Sequence, residues 1–157
     1  MDADNDLLDM MAIHELAVSG LYQSFAAVLP EWKAFWTAIA NEELGHAAWL
    51  RGLKSKLAEE GGILNREHFN LDGLRTSMDF LQRTRGDVLK KGITPLRALS
   101  MALDLEGSLI EKEYFSIYKT DSVAVQEVFA KLREQSGGHR QRMRDTLAAE
   151  RAKVSRE

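Results

Sequence analysis

Four stretches of the chain place apolar residues at alternating steps of four and three, the spacing with which a helix lays one stripe against a core. The clearest is Trp32, Trp36, Ile39, Glu43, His46, Leu50, Leu53 and Leu57, in which all but Glu43 and His46 are apolar. Leu8, Ala12, Glu15, Ser19, Tyr22, Ala26 and Leu29 form a second stripe, widened by Met11, Val18 and Phe25. Leu99, Leu103, Glu106, Ile110, Glu113 and Ile117 form a third, and Val125, Phe129, Leu132, Ser136, His139, Met143 and Leu147 a fourth. Each stripe holds an acidic or imidazole side chain where its neighbours suit burial. A lone carboxylate there would be costly, so these groups must be neutralised, paired or bound to a metal.

Breakers cut the pattern into elements. The prolines, Pro30 and Pro95, each stand where a helix can begin, and Thr94 can cap the helix that Pro95 opens. The pattern predicts helices over about 4–28, 31–60, 94–118 and 122–152, the second stopped by Gly61 and Gly62. The corner at Leu29 and Pro30 is short enough to make the first two helices antiparallel neighbours. Residues 62–92 are the least regular, but Leu71, Leu74, Met78, Leu81, Val88 and Leu89 predict a crossover helix there over about 71–90, despite Gly73 and Gly86. The expected fold is all-α: one domain over 1–157, an antiparallel four-helix bundle with a long crossover connection.

Composition narrows the function. A length of 157 residues suits one domain with a single core. The absence of cysteine removes disulfides, thiolate zinc sites, iron–sulfur clusters and a cysteine nucleophile, and suits the cytoplasm. A net charge of -3, from 21 basic and 24 acidic residues, supplies no basic face for nucleic acid. The acidic start from Met1 to Asp9 does not read as a signal peptide, and no run approaches the roughly 20 apolar residues that span a membrane.

The ionisable positions repeat. Aligning His139 on His46 places Gly138 on Gly45, Leu132 on Ile39 and Phe129 on Trp36; Glu106 then precedes His139 by 33 residues, and Glu15 precedes His46 by 31. The chain therefore reads as two similar helical hairpins, each with a Glu on its first helix and a His on its second. Glu43 and His46, three residues apart, are neighbours on one helix face and can reach one ion together.

A Glu from each of two helices with a Glu-x-x-His from each of the other two is the ligand pattern of ferritin-like di-iron and di-manganese carboxylate proteins. The segments His14-Glu15, Asn41-Glu42-Glu43-Leu44-Gly45-His46-Ala47 and Leu103-Asp104-Leu105-Glu106, with the long crossover, resemble the rubrerythrin branch over nearly the whole chain. The resemblance implies Glu15, Glu43, His46, Glu106 and His139 as metal ligands. It also implies iron, as two ions or one, with manganese or zinc as alternatives, since two imidazoles disfavour calcium. Tyr22 resembles the tyrosine that supports a ligand carboxylate in such sites; the alternative is an ordinary core residue. Homodimers are common among such bundles, and the aromatic set Trp32, Phe35, Trp36 and Trp49 reads as packing or a dimer surface.

One position departs from the pattern. Where the family carries a second bridging Glu, three residues before His139, this chain has Ser136 in the run Gln135-Ser136-Gly137-Gly138-His139. Two divalent ions carry four positive charges, and three carboxylates leave them one short, so the site must hold metal more weakly, recruit an anion, or hold one ion. Glu113 lies seven residues beyond Glu106, roughly 10 Å along a helix, too far to replace Ser136. It suits an outer shell or a pairing with an arginine. Glu134 and Gln135 are expected to face away. Gly137 and Gly138 mark either a break or a close approach beside His139, and His14, His68, Glu42 and Glu111 are expected off the core face as solvated groups.

Three functions follow as expectations. One is a rubrerythrin-like di-iron protein that reacts with peroxide or oxygen. Lacking cysteine for a rubredoxin-type iron, it would need an external electron donor. The second is a single-metal or mixed-metal protein built on a degraded di-iron site. The third is a metal-free helical scaffold that binds a partner.

Overall fold

A computed structural model describes residues 3–60, 71–108 and 123–156. Among these the chain is all-α, without strands: α1 (Ala3–Val28), a 3-10 turn (Pro30–Trp32), α2 (Lys33–Glu60), α3 (Leu71–Lys91), α4 (Pro95–Glu106) and α5 (Val123–Arg156). None of these helices is long and apolar enough to cross a membrane.

The turn at Pro30–Trp32 folds α2 back along α1. Phe25 meets Trp36, the Ser19 hydroxyl donates to the Ala40 carbonyl, and Lys54 bonds Asp9, so contacts move down one helix as they move up the other. The two are therefore antiparallel. α5 runs antiparallel to α2 by the same logic, with His46 against Gln135 and Glu42 against His139. The crossover helix α3 lies on α1 through Leu74, Leu81 and Val88, a strict seven-residue step. Leu89, expected in that stripe, is 51 % exposed, because the step from Leu81 ends on Val88.

The buried apolar residues form two clusters. Leu7, Leu8, Met11, Leu50, Leu53, Phe129 and Leu132 belong to one; Tyr22, Phe25, Trp36, Ile39, Leu99, Met143 and Leu147 belong to the other. On α1, α2 and α5 the residues between them are Glu15, Glu43 with His46, and Ser136 with His139. A layer of buried ionisable groups thus crosses the core between two apolar ones.

Thr94 accepts from the Arg97 amide at the start of α4, as a cap should. α4 does not continue as helix through the described residues beyond it. It ends at Glu106, where the Gly107 amide bonds the Leu103 carbonyl and the Ser108 amide bonds the Leu105 carbonyl in a turn. Glycine and serine at consecutive positions weaken the helix there. The expected extension toward 118 falls on residues 109–122, outside the described residues, as do Ile110, Glu111, Glu113, Ile117 and His68.

Gly137 and Gly138 neither break α5 nor admit a close neighbour. The helix runs through both, both are exposed, and a Cβ added at either would meet nothing within 4 Å. Their conformational freedom is a cost without a packing return. Gly137→Ala should therefore stabilise the protein by about 1 kcal/mol in urea denaturation.

Candidate metal centre

The five side chains that interrupt the stripes converge. Ligand atoms of Glu15, Glu43 and His46 all lie within 4.8 Å of one another, and so do those of Glu43, Glu106 and His139. None of the five residues is more than 4 % exposed. Glu43 belongs to both groups: its Oε2 lies 3.1 Å from His46 Nδ1 and its Oε1 3.1 Å from His139 Nδ1. Glu15 Oε2 completes one half at 3.9 Å from His46 Nδ1, and Glu106 Oε1 the other at 3.5 Å from His139 Nδ1. The imidazole rings stack between the halves, with centroids 5.5 Å apart.

Each histidine turns Nδ1 inward because Nε2 is held from outside. His46 Nε2 lies 2.8 Å from Gln135 Oε1, and His139 Nε2 lies 2.5 Å from Glu42 Oε2. Amide and carboxylate oxygens only accept, so Nε2 keeps its proton, and Nδ1 is the nitrogen that could give up a proton to an ion. Gln135 precedes His139 by one turn and Glu42 precedes His46 by one turn, so each helix orients the histidine of the other. Arg142 also donates to Glu42 Oε2. Tyr22 Oη donates to Glu106 Oε1 at 3.0 Å, reaching the carboxylate of the other hairpin. Trp49 packs its ring 5.6 Å from that of His46.

Three sequence expectations need correction. Glu42 is not simply solvated: with its side chain 38 % exposed, it still holds His139. His14 is buried on the core side, with Nε2 2.8 Å from Ser77 Oγ on α3. Gln135 is an exposed residue, yet its side chain, expected to face away, reaches inward to the His46 edge. Glu42 and Gln135 carried one usable signal, a shared spacing of four residues before a core histidine. Ser136 is buried, one turn before His139, and brings no charge to the layer.

The donor set fits a metal. Glu15 Oε2 and Glu106 Oε2 are buried with no hydrogen-bond partner among the described residues, one in each half. A buried carboxylate oxygen left this way needs a counter-charge. Imidazole nitrogens mixed with carboxylate oxygens suit iron, manganese or zinc.

Without metal, protons take the same place. Burial alone would lower the His46 pKa, but the neighbouring Glu15 and Glu43 carboxyl groups outweigh it and push it up to about 11. Burial opposes Glu106 and Glu43 in the same way at His139, which rises to about 10. Burial, and then the charge of Glu43, push Glu15 up to about 8. Two imidazolium charges thus face the Glu43 and Glu106 carboxylates, with Glu15 holding its proton at neutral pH.

No family model, curated protein or solved structure matches this chain.

All three shifts make the folded state bind protons more tightly than the unfolded one. The stability from the histidine protons is complete below about pH 6.5 and is lost as the pH rises through about 10 to 11; that from the Glu15 proton is complete below about pH 4.5 and is lost through about pH 8. Metal-free protein in chelator should therefore melt lower at pH 9 than at pH 6, by more than the roughly 3 °C that about 1 kcal/mol produces at this size. A metal bound there would displace those protons, so its stabilising effect would grow with pH over the same range. Circular dichroism melts with and without chelator check both signs.

Proposed function

We propose that the chain is a ferritin-like, rubrerythrin-like metal protein: an antiparallel four-helix bundle of α1, α2, α4 and α5, crossed over by α3, that binds divalent metal at Glu15, Glu43, His46, Glu106 and His139. The observation that carries this reading is the pair of buried Glu/His groups sharing Glu43, each containing a carboxylate with one buried oxygen that has no hydrogen-bond partner among the described residues. Structural ion pairs rarely leave such atoms unanswered. The Nδ1 orientation set by Gln135 and Glu42 supports it further.

Iron bound there would supply the redox chemistry, reacting with peroxide or oxygen. Glu15, Glu43, His46, Glu106 and His139 would hold it, with Glu43 belonging to both groups. Tyr22 would hold Glu106 in place. The two apolar clusters on either side would limit water at the layer. Electrons would come from outside, since the chain has no cysteine for a relay iron.

Ser136 favours a second reading, a centre that retains one ion. It occupies the place of the second bridging carboxylate and leaves three carboxylates for two divalent charges. Elemental analysis of protein expressed with iron, manganese and zinc separates the two: two irons per chain support the di-iron reading, and one metal the reduced one. Ser136→Glu should then raise one ion toward two. Ferrous-loaded protein should oxidise its iron with peroxide or oxygen faster than a Glu43→Ala control, followed by absorbance. A folded protein without metal, whose melting temperature ignores chelator, would refute metal binding.

A further inference from the structure

The two halves of the centre are alike inside and different outside. Each presents one histidine Nδ1, the shared Glu43 and one further carboxylate. Behind them the match fails. His139 Nε2 is held by a carboxylate, Glu42, and His46 Nε2 by a carboxamide, Gln135. The Glu42 and Gln135 positions correspond in the repeat, each one turn before a histidine, so the difference is a single substitution between the two hairpins.

Resting on the metal reading above, we propose that the halves fill in order: the first divalent cation binds at Glu43, Glu106 and His139, and a second binds more weakly at Glu15, Glu43 and His46. A carboxylate behind an imidazole draws on its Nε2 proton and makes Nδ1 a stronger donor; a carboxamide orients the ring equally but adds no charge. Counting the carboxylates within direct or one-bridge reach, the His139 half has Glu43, Glu106 and Glu42, and the His46 half only Glu43 and Glu15. Arg142 takes back part of the Glu42 charge, but it stands one group farther from the ion, and its side chain is 46 % exposed to screening water. Tyr22 adds pre-organisation on the same side. By holding Glu106 Oε1 it removes rotamer freedom that Glu15, with no such donor among the described residues, must give up on binding.

The asymmetry also answers the charge that Ser136 lacks. The fourth carboxylate is present as Glu42, displaced outward by one imidazole and serving only one half. A centre that cannot balance two ions equally can balance one well.

Glu42 lies in an open groove with Trp49, Lys131, Gln135, His139 and Arg142, about 670 Å³ in volume. Substitution at Glu42 or Gln135 therefore alters an accessible wall and not the packed core, which keeps the test clean. Titration of chelated, refolded protein with Co²⁺ alone, followed by its visible absorption and by calorimetry, reads both steps. Wild type should show a tight step and a second at least 10-fold weaker. Glu42→Gln should weaken the tight step by roughly 10- to 100-fold and spare the weak one, whereas Gln135→Glu should tighten the weak step. Glu106→Gln should remove the tight step and Glu15→Gln the weak one, with circular dichroism confirming that each variant folds. Equal steps, loss of the tight step in Glu15→Gln, or an unchanged isotherm in Glu42→Gln would overturn the order while leaving metal binding intact. Absence of Co²⁺ uptake that depends on Glu43 would overturn metal binding itself, and the order with it.

Discussion

Three carboxylates and two imidazoles buried in one layer of the core are the constraint on which the structure turns. Each alone would be among the most expensive groups to remove from water. Together they are tolerable only because Glu43 faces both histidines at 3.1 Å and because the outer nitrogen of each ring is answered from the opposite helix. The layer therefore demands that α1, α2, α4 and α5 be placed jointly. A displacement of α5 would strand Glu43 and uncover His46 at once.

On the metal reading proposed above, protons and a divalent ion would compete for that layer. The inward Nδ1 atoms and the unpaired oxygens of Glu15 and Glu106 define positions for positive charge without specifying its source. Imidazolium protons occupy them in the metal-free protein, at the expense of a Glu15 that keeps its own proton near neutrality. A divalent ion gathers several of these charges into one point with directional bonds. Metal affinity and folding would then be two expressions of the same electrostatic requirement.

Much of this is legible in the sequence, for a definite reason. Glu15, Glu43, His46, Glu106 and His139 are conspicuous because they contradict the apolar stripes around them, and contradiction of a strong pattern is itself a signal. The helices are equally plain wherever stripes run long and Pro30, Thr94 and Pro95 punctuate them. Glu42 and Gln135 are not plain. Both sit off the stripe, and their inward reach depends on how α2 and α5 cross, which side-chain spacing along one helix does not encode. His14 is hidden for a similar reason: the helix that covers it, α3, lies outside the four repeated stripes. At Gly107 and Ser108, local propensity ends α4 where the apolar spacing alone would carry it onward, and at Gly137 and Gly138 the flanking helix prevails over propensity.

The division of the core into two apolar clusters by an ionisable layer has a consequence for specificity. Helices packed only through Leu, Phe and Ala can slide by a turn at modest cost, since one apolar contact replaces another. Here a slide of one turn between α1 and α2 would set Glu15 near Leu50 in place of His46, with no polar partner for its carboxyl group. Like a single buried asparagine in a coiled coil, the layer acts as a key that fixes axial alignment. Its contribution is then less to how firmly the chain folds than to how few ways it can.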